Sequence, residues 1–231
     1  MQLFAVHVSD GVLAWPWMAG GWAVAAVLVA VALRGLTEDE IPRVGVLTAA
    51  LFVATLLHLP FAGPVKVHLL LNSVAGVILG RRASLAVLVA VAFQAILFVH
   101  GGFWTIGLTT AVIGLPAVVA GAALIRLIRL TGRPFAAGIV VGGLTAASTV
   151  GLNAAVLWFG GVEDLTRVVQ LVLIAHVPVV LTEAAGTGVI VAYFARVKPE
   201  WLAGGVSPAG SPRRTAPPTG PDPGSPAPSP S

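Results

Sequence analysis

The sequence predicts an all-α, polytopic membrane protein with about seven transmembrane helices, and three observations carry that prediction. Of the 231 residues, 57% are hydrophobic and only 10% are charged; an ordinary soluble domain has about 45–50% apolar and about 25% charged residues. The apolar runs are continuous. A membrane barrel would instead alternate in segments of roughly ten residues, so helices are the spanning elements. Basic residues fall at the ends of the runs and hardly ever inside them.

Taken in order, an N-terminal segment, residues 1–15, precedes a first span at 16–33, closed by Arg34. With a short polar island at residues 6–11, that segment is expected to be an extracytoplasmic metal-binding segment. It carries no Lys or Arg and so lacks the basic region of a signal peptide. A polar turn follows, with Thr37 as a cap and Pro42 at a helix start, and then a second span at 44–59. The connection from His58 to Pro64 is broken by two prolines and a glycine. A short apolar helix at 67–79 stops at Gly80-Arg81-Arg82 and is too short to cross the core upright unaided. Further spans are expected at 84–99, at 108–130 with a kink at Pro116, at 135–159, and at 168–195 with Pro178 inside. The bundle thus occupies residues 16–200, and a Pro-, Ser- and Gly-rich segment, 201–231, is expected to be a disordered cytoplasmic tail.

The positive-inside rule orients this list. With the N-terminus outside and the C-terminus inside, Arg34, Arg43, Arg81, Arg82, Arg126, Arg129, Arg133, Arg196 and Lys198 all face the cytoplasm. Before the tail, only Lys66 and Arg167 are left outside. In that orientation His7, His58, His68 and His100 lie near the outer ends of their segments, and His176 lies in the outer half of the last span. Any one of them alone reads as an interfacial or hydrogen-bonded core histidine, but five on one side suit extracytoplasmic metal capture. The chain has no cysteine, so a transition metal must be held by imidazole, backbone nitrogen or carboxylate. Small-residue stripes at Ala19/Ala23, Gly138/Gly142/Ala146 and Ala184/Gly188/Ala192 allow close helix approach, within the bundle or against a membrane partner. Nothing in the modest net charge of +4 calls for nucleic acid.

Four segments carry a family resemblance. Val6-His7-Val8-Ser9-Asp10-Gly11 resembles a Met-His-Ile-x-Asp/Glu-Gly start, and Val67-His68-Leu69 with Leu79-Gly80 resembles a second-histidine segment ending in Leu-Leu-Gly. The run from Gln94 to Gly102 resembles Gln-Ala-Leu-Leu-Phe-x-His-Gly-Gly, and Val177-Pro178 with Glu183 resembles the Ile-Pro and Ala-Glu-Gly elements of a last helix. These are features of the CbiM/NikM family, the substrate-binding (S) components of energy-coupling-factor (ECF) ABC transporters for cobalt and nickel, and the resemblance covers residues 6–195. It implies an S-component-like bundle in the cell membrane that binds Ni2+ or Co2+ as cargo, with no covalently bound cofactor. The implied ligands are a free N-terminal amine, the amide and imidazole nitrogens of His7, and the imidazole of His68. Four nitrogens in a plane suit Ni(II) and, in a similar field, Co(II). Asp10 and His100 are implied as supporting residues, with Asp10 read equally well as a helix N-cap.

The sequence departs from the family at named positions. His7 is seventh, so Val6 supplies the amine only if a GTG codon there is the true start; otherwise the site needs another donor such as Asp10, His58, His100 or water. Asn72 follows three leucines where the family has small hydroxyl residues, Thr109 stands for an asparagine, and His176 stands for a glutamine. Glu183, an ionisable group within the membrane, is a site candidate by default and is expected to pair with an interhelical donor. No phosphate-binding loop is present, so the chain is not expected to act as an enzyme on ATP. The resemblance implies partners: a transmembrane coupling (T) protein and two cytoplasmic ATPases, with a small accessory membrane subunit as a further candidate. Two other readings are a stand-alone permease or channel using Asn153, His176 and Glu183, and a non-transporting membrane scaffold.

Overall fold

The computed structural model describes residues 8–57, 59–62, 65–99 and 101–202, of which 59–62 and 65–66 are described by backbone alone. Val6, His7, His58, His100 and the segment 203–231 lie outside the described residues, so the expectations placed on them are not addressed by the structure.

Helix α1, Trp15–Leu33, begins with Pro16 in its first turn, where the missing N–H costs nothing. A 3-10 turn, Glu38–Glu40, leads into α2, Ile41–Leu56, which again starts on a proline, Pro42. Thr37 opens that turn, its amide donating to the Glu40 carboxylate at 3.0 Å. The proline-broken connection folds as an antiparallel hairpin, β1 at Leu59–Ala62 and β2 at Val65–Val67. Helix α3, Asn72–Leu79, therefore starts five residues later than the apolar run suggests, because residues 65–67 are paired in the hairpin. The chain reverses at Gly80 (φ 56°, ψ −125°) through a 3-10 turn, Gly80–Arg82, and returns as α4, Ala83–Phe98. The reversal shows in the packing: Asn72 bonds the carbonyl of Ile113, and Ser84, on the returning helix, lies against Gly114 beside it.

Helix α5, Ile106–Thr131, runs through Pro116 as one helix, and α6, Pro134–Gly160, follows it. The last expected span is two helices, α7 at Thr166–Ala175 and α8 at Val177–Val197. Pro178 explains the break. It lacks the N–H that a continuous helix would need and sits instead in the first turn of α8. By length and composition five helical stretches are long and apolar enough to cross a membrane, Trp15–Leu33, Asn72–Phe98, Ile106–Thr131, Pro134–Gly160 and Thr166–Val197. The second is α3 and α4 on either side of the Gly80 reversal, and the last is α7 and α8. The protein is a multi-pass, nearly all-helical membrane protein.

Helix α5 is the hub, touching α1, α3, α4 and α6. The most extensive pairing is α6 with α8. A side chain on Gly142 would come within 2.6 Å of Cβ of Thr187, and one on Gly138 within 2.8 Å of the Gly188 backbone. These two small stripes thus pack on each other inside the bundle, as apposed backbones do where lipid supplies no hydrophobic drive. The stripe on α1 behaves differently. Gly21 and Ala25 are buried, Gly21 against Leu108 of α5, while Ala19 and Ala23 are exposed.

At the other end of α1, the buried Arg82 closes the bundle. Its guanidinium donates to the carbonyls of Ala32, Arg34 and Gly35, the free carbonyls of a helix C-terminus. Its fork also pairs with both carboxylate oxygens of Glu40, at 3.2 and 2.8 Å. The Arg82 hydrogen bond, with help from the Thr37 amide, lowers the Glu40 pKa from 4.5 to about 2. A lowered carboxylate pKa contributes stability that is full above the unfolded value and is lost as pH falls through the folded one. Thermal melts of detergent-solubilised protein should therefore show wild type losing stability from about pH 4.5 towards pH 2, with Glu40→Gln lacking this component of the pH dependence.

Candidate functional site

The polar residues singled out in the sequence fall into two groups, one on the strap ahead of α1 and one around the segment that follows His68. Residues 8–14 form the strap. The Val8 carbonyl accepts from the Gly102 amide at 3.0 Å and from the Thr105 hydroxyl at 2.6 Å. The Asp10 carboxylate accepts from the amides of Phe103 at 2.8 Å and Trp104 at 3.0 Å. Further along, the Ala14 amide donates to Gly160 and the Val162 amide to Val12, at 2.9 and 3.0 Å. Gly102 is required by closeness, because a Cβ there would overlap the Asp10 side chain and backbone. Asp10 does not cap α1, whose N-cap is Ala14; it serves the turn ahead of α5. Beneath the strap Val8, Val12 and Leu13 are buried against Leu108, Val112 and Leu157. The residue following His7 is thereby fixed to the loop following His100.

His68 follows β2 and is 2% exposed. Its Nδ1 lies 2.9 Å from the Leu69 carbonyl, which can only accept, so Nδ1 carries the proton and Nε2 carries the lone pair. A backbone carbonyl on one ring nitrogen is the arrangement that readies the other for a metal ion. The next residues are held by Glu183 of α8. Its Oε1 accepts from the amides of Leu70 and Leu71, both at 2.8 Å, and its Oε2 accepts from the Ser73 hydroxyl at 2.9 Å. Since Ser73 has one proton and gives it to Glu183, the Thr187 hydroxyl donates to Ser73 at 2.8 Å. A carboxylate buried to 2% exposure needs several donors, and these three supply them. They hold Leu71 at φ 49°, a left-handed conformation that costs a leucine roughly 1–2 kcal/mol.

Asn72, fully buried, donates through Nδ2 to the Ile113 carbonyl at 3.1 Å and to the Thr149 hydroxyl at 2.8 Å, joining α3 to α5 and α6. Thr109 is buried in the first turn of α5, one turn from Thr105. His176, at the junction of α7 and α8, is fully buried, and its Nδ1 donates to the Val172 carbonyl at 2.8 Å. The structure thus brings Asn72 and Glu183 onto the segment that follows His68, and joins Asp10 to the His100 loop. Among the described residues no three His, Asp or Glu side chains converge on one point.

Two sets of contacts escape a sequence reading: Ser73 and Thr187 complete the Glu183 clamp, and Thr149 orients Asn72. Gln94, which opens the His100 motif, donates to the Phe52 carbonyl and the Thr55 hydroxyl. The only sequence signal of Ser73, Thr149 and Thr187 is a polar side chain at a helix position facing Asn72 or Glu183. That signal reads as ordinary packing until the partners are known.

Comparison with known proteins bears on this arrangement. Residues 7–201 match the CbiM family, described as the cobalt uptake substrate-specific transmembrane region. A Haemophilus influenzae protein with a provisional assignment as a metal transport protein is 32% identical over 202 residues, 84% of this chain and 96% of its own. A cobalt transport protein CbiM from Sorangium cellulosum is 31% identical over 199 residues, 81% of this chain and 88% of its own. The crystal structure of a truncated transition metal transporter superposes with a TM-score of 0.71 at 19% identity, covering 82% of this chain and 98% of that one, a likeness of fold. The family match spans the strap, the His68 segment, the Glu183 clamp and the whole helical bundle, and the chain belongs to the CbiM family.

Proposed function

We propose that this protein is the metal-capturing S component of an ECF-type importer for nickel or cobalt. The ion is taken up at the end of the bundle where the strap lies, which faces outward when the chain is N-out and C-in. His68 provides one nitrogen through Nε2, and His7, directly before the strap, provides its imidazole and amide nitrogens. Val6 adds its amine if translation starts there. Asp10, His100, Asn72, Thr109, His176 and Glu183 support the site, and the tail, 201–231, hangs on the cytoplasmic side.

The observation that carries this reading is the state of His68. Its imidazole is buried, its tautomer is set by the Leu69 carbonyl, and its backbone is tethered by Glu183. An imidazole fixed in this way meets a metal ion with little reorganisation left to make. The cargo ion is a substrate that must leave again, and His7 belongs to a different part of the chain from His68. Release and ATP use fall to the T protein and the two ATPases. Family membership and the matched cobalt transport proteins support the choice of cargo.

Calorimetry on purified protein should show Ni(II) or Co(II) binding that His68→Ala abolishes; binding at parental affinity would defeat the assignment. Cells carrying this protein with its T protein and ATPases should accumulate the metal, and cells lacking either partner should not. Uptake by this chain alone would favour a permease instead. Glu183→Leu leaves the buried amides of Leu70 and Leu71 without an acceptor and should cost about 2–6 kcal/mol, at roughly 1–3 kcal/mol for each. That loss is read from thermal or denaturant unfolding of the metal-free protein.

A further inference from the structure

We infer that His176 is a further imidazole ligand for the transported ion, approaching it from the bundle interior; this rests on the proposed capture role of His68. Burying a neutral imidazole is ordinary when both ring nitrogens are satisfied. Here Nδ1 gives its proton to the Val172 carbonyl, so Nε2 carries a lone pair, and that atom is buried with no partner among the described residues. The hydrogen bond is of the kind already seen at His68, with a backbone carbonyl on Nδ1.

The surroundings of His176 are built for a polar occupant. Asn72 Oδ1, Thr110 Oγ1 and Asn153 Nδ2 are among the other buried polar atoms that lack partners among the described residues. Helix register places them together. Asn72 touches Ile113 and Thr149, and Thr110 and Asn153 are the residues one turn from these two, both towards the strap end. His176 lies two turns from Glu183 on the same side of α8, again towards the strap end, and Glu183 holds the segment between His68 and Ser73. The same buried cluster contains Val67 and Leu70, which flank His68, and Val172 and Ala175, which precede His176. Hairpin strand β2, which leads into His68, packs on α7, which ends at His176. Both imidazoles therefore belong to one region of the core. Leaving buried acceptors unpaired is destabilising, so the His176 nitrogen and the Asn72 and Thr110 oxygens call for an occupant. An ion on His176, with Asn72 and Thr110 oxygens near it, answers that need with neutral nitrogen and oxygen ligands that suit nickel and cobalt.

The test counts imidazoles. Wild type, His68→Ala and His176→Gln are purified and titrated with Co(II) by calorimetry. The same proteins, loaded with Cu(II) as a probe that also favours nitrogen-rich tetragonal sites, are examined by pulsed EPR for coordinated imidazole. Glutamine at position 176 can keep the hydrogen bond to Val172, and metal-free melting curves check that the fold is intact; His176→Asn serves if that variant does not fold. The expected result is one imidazole fewer in His176→Gln and Co(II) binding weakened by about tenfold or more. An unchanged imidazole count with unchanged affinity in His176→Gln overturns the inference. If His68→Ala still loses metal in that case, the capture role stands without His176. If wild type binds no Co(II), the capture role falls, and the inference with it.

Discussion

The structure around the site depends on one carboxylate. Glu183 is buried in the bundle and can exist there only with donors on both oxygens. It obtains them by taking the amides of Leu70 and Leu71 and the hydroxyl of Ser73, all more than a hundred residues away in sequence. Satisfying Glu183 turns Leu71 into the left-handed region and delays the start of α3 to Asn72. It also leaves His68 on non-helical chain rather than on a helix face. The clamp and the conformation of the histidine segment are a single fact. It resembles the way other buried acids order a loop, with backbone amides as partners in place of a basic side chain.

The helical core was legible in the sequence because continuous apolar runs ending at Arg or Gly are strong signals in membrane chains. Helices α1, α4, α5 and α6 lie within a few residues of where those runs place them. The misses share a physical cause. The hairpin at Leu59–Ala62 and Val65–Val67, the late start of α3 and the break at His176 are set by hydrogen bonds between distant residues or by a single proline's missing donor. Periodicity within a window cannot see these. Residues with a motif around them, such as Asp10, Asn72, Glu183 and His176, could be named in advance. Ser73, Thr149 and Thr187 could not, since a hydroxyl in a small-residue stripe looks the same whether it packs or donates. Nor could the sequence tell that the stripe on α1 presents Ala19 and Ala23 outward while Gly21 takes the contact with α5.

Two independent attachments hold the segments next to His7 and His68. One ties residues 8–14 to the loops at 101–105 and 160–162, almost wholly through backbone groups and the Asp10 carboxylate. The other ties the segment after His68 to α8 through Glu183. The first depends on close approach at Gly102 and tolerates varied side chains. The second depends on one acid and tolerates little.

Arg82 has a consequence for the opposite surface. A guanidinium that is 3% exposed and committed to three carbonyls and Glu40 offers no charge to phospholipid headgroups. Arg43 is also partly engaged, lying over the Trp201 ring at 4.8 Å beside Lys198 at 5.5 Å. The electrostatic attraction of that face for an anionic leaflet is therefore weaker than its count of arginines suggests, and salt should loosen the protein's hold on such lipids less than a tally of basic residues implies.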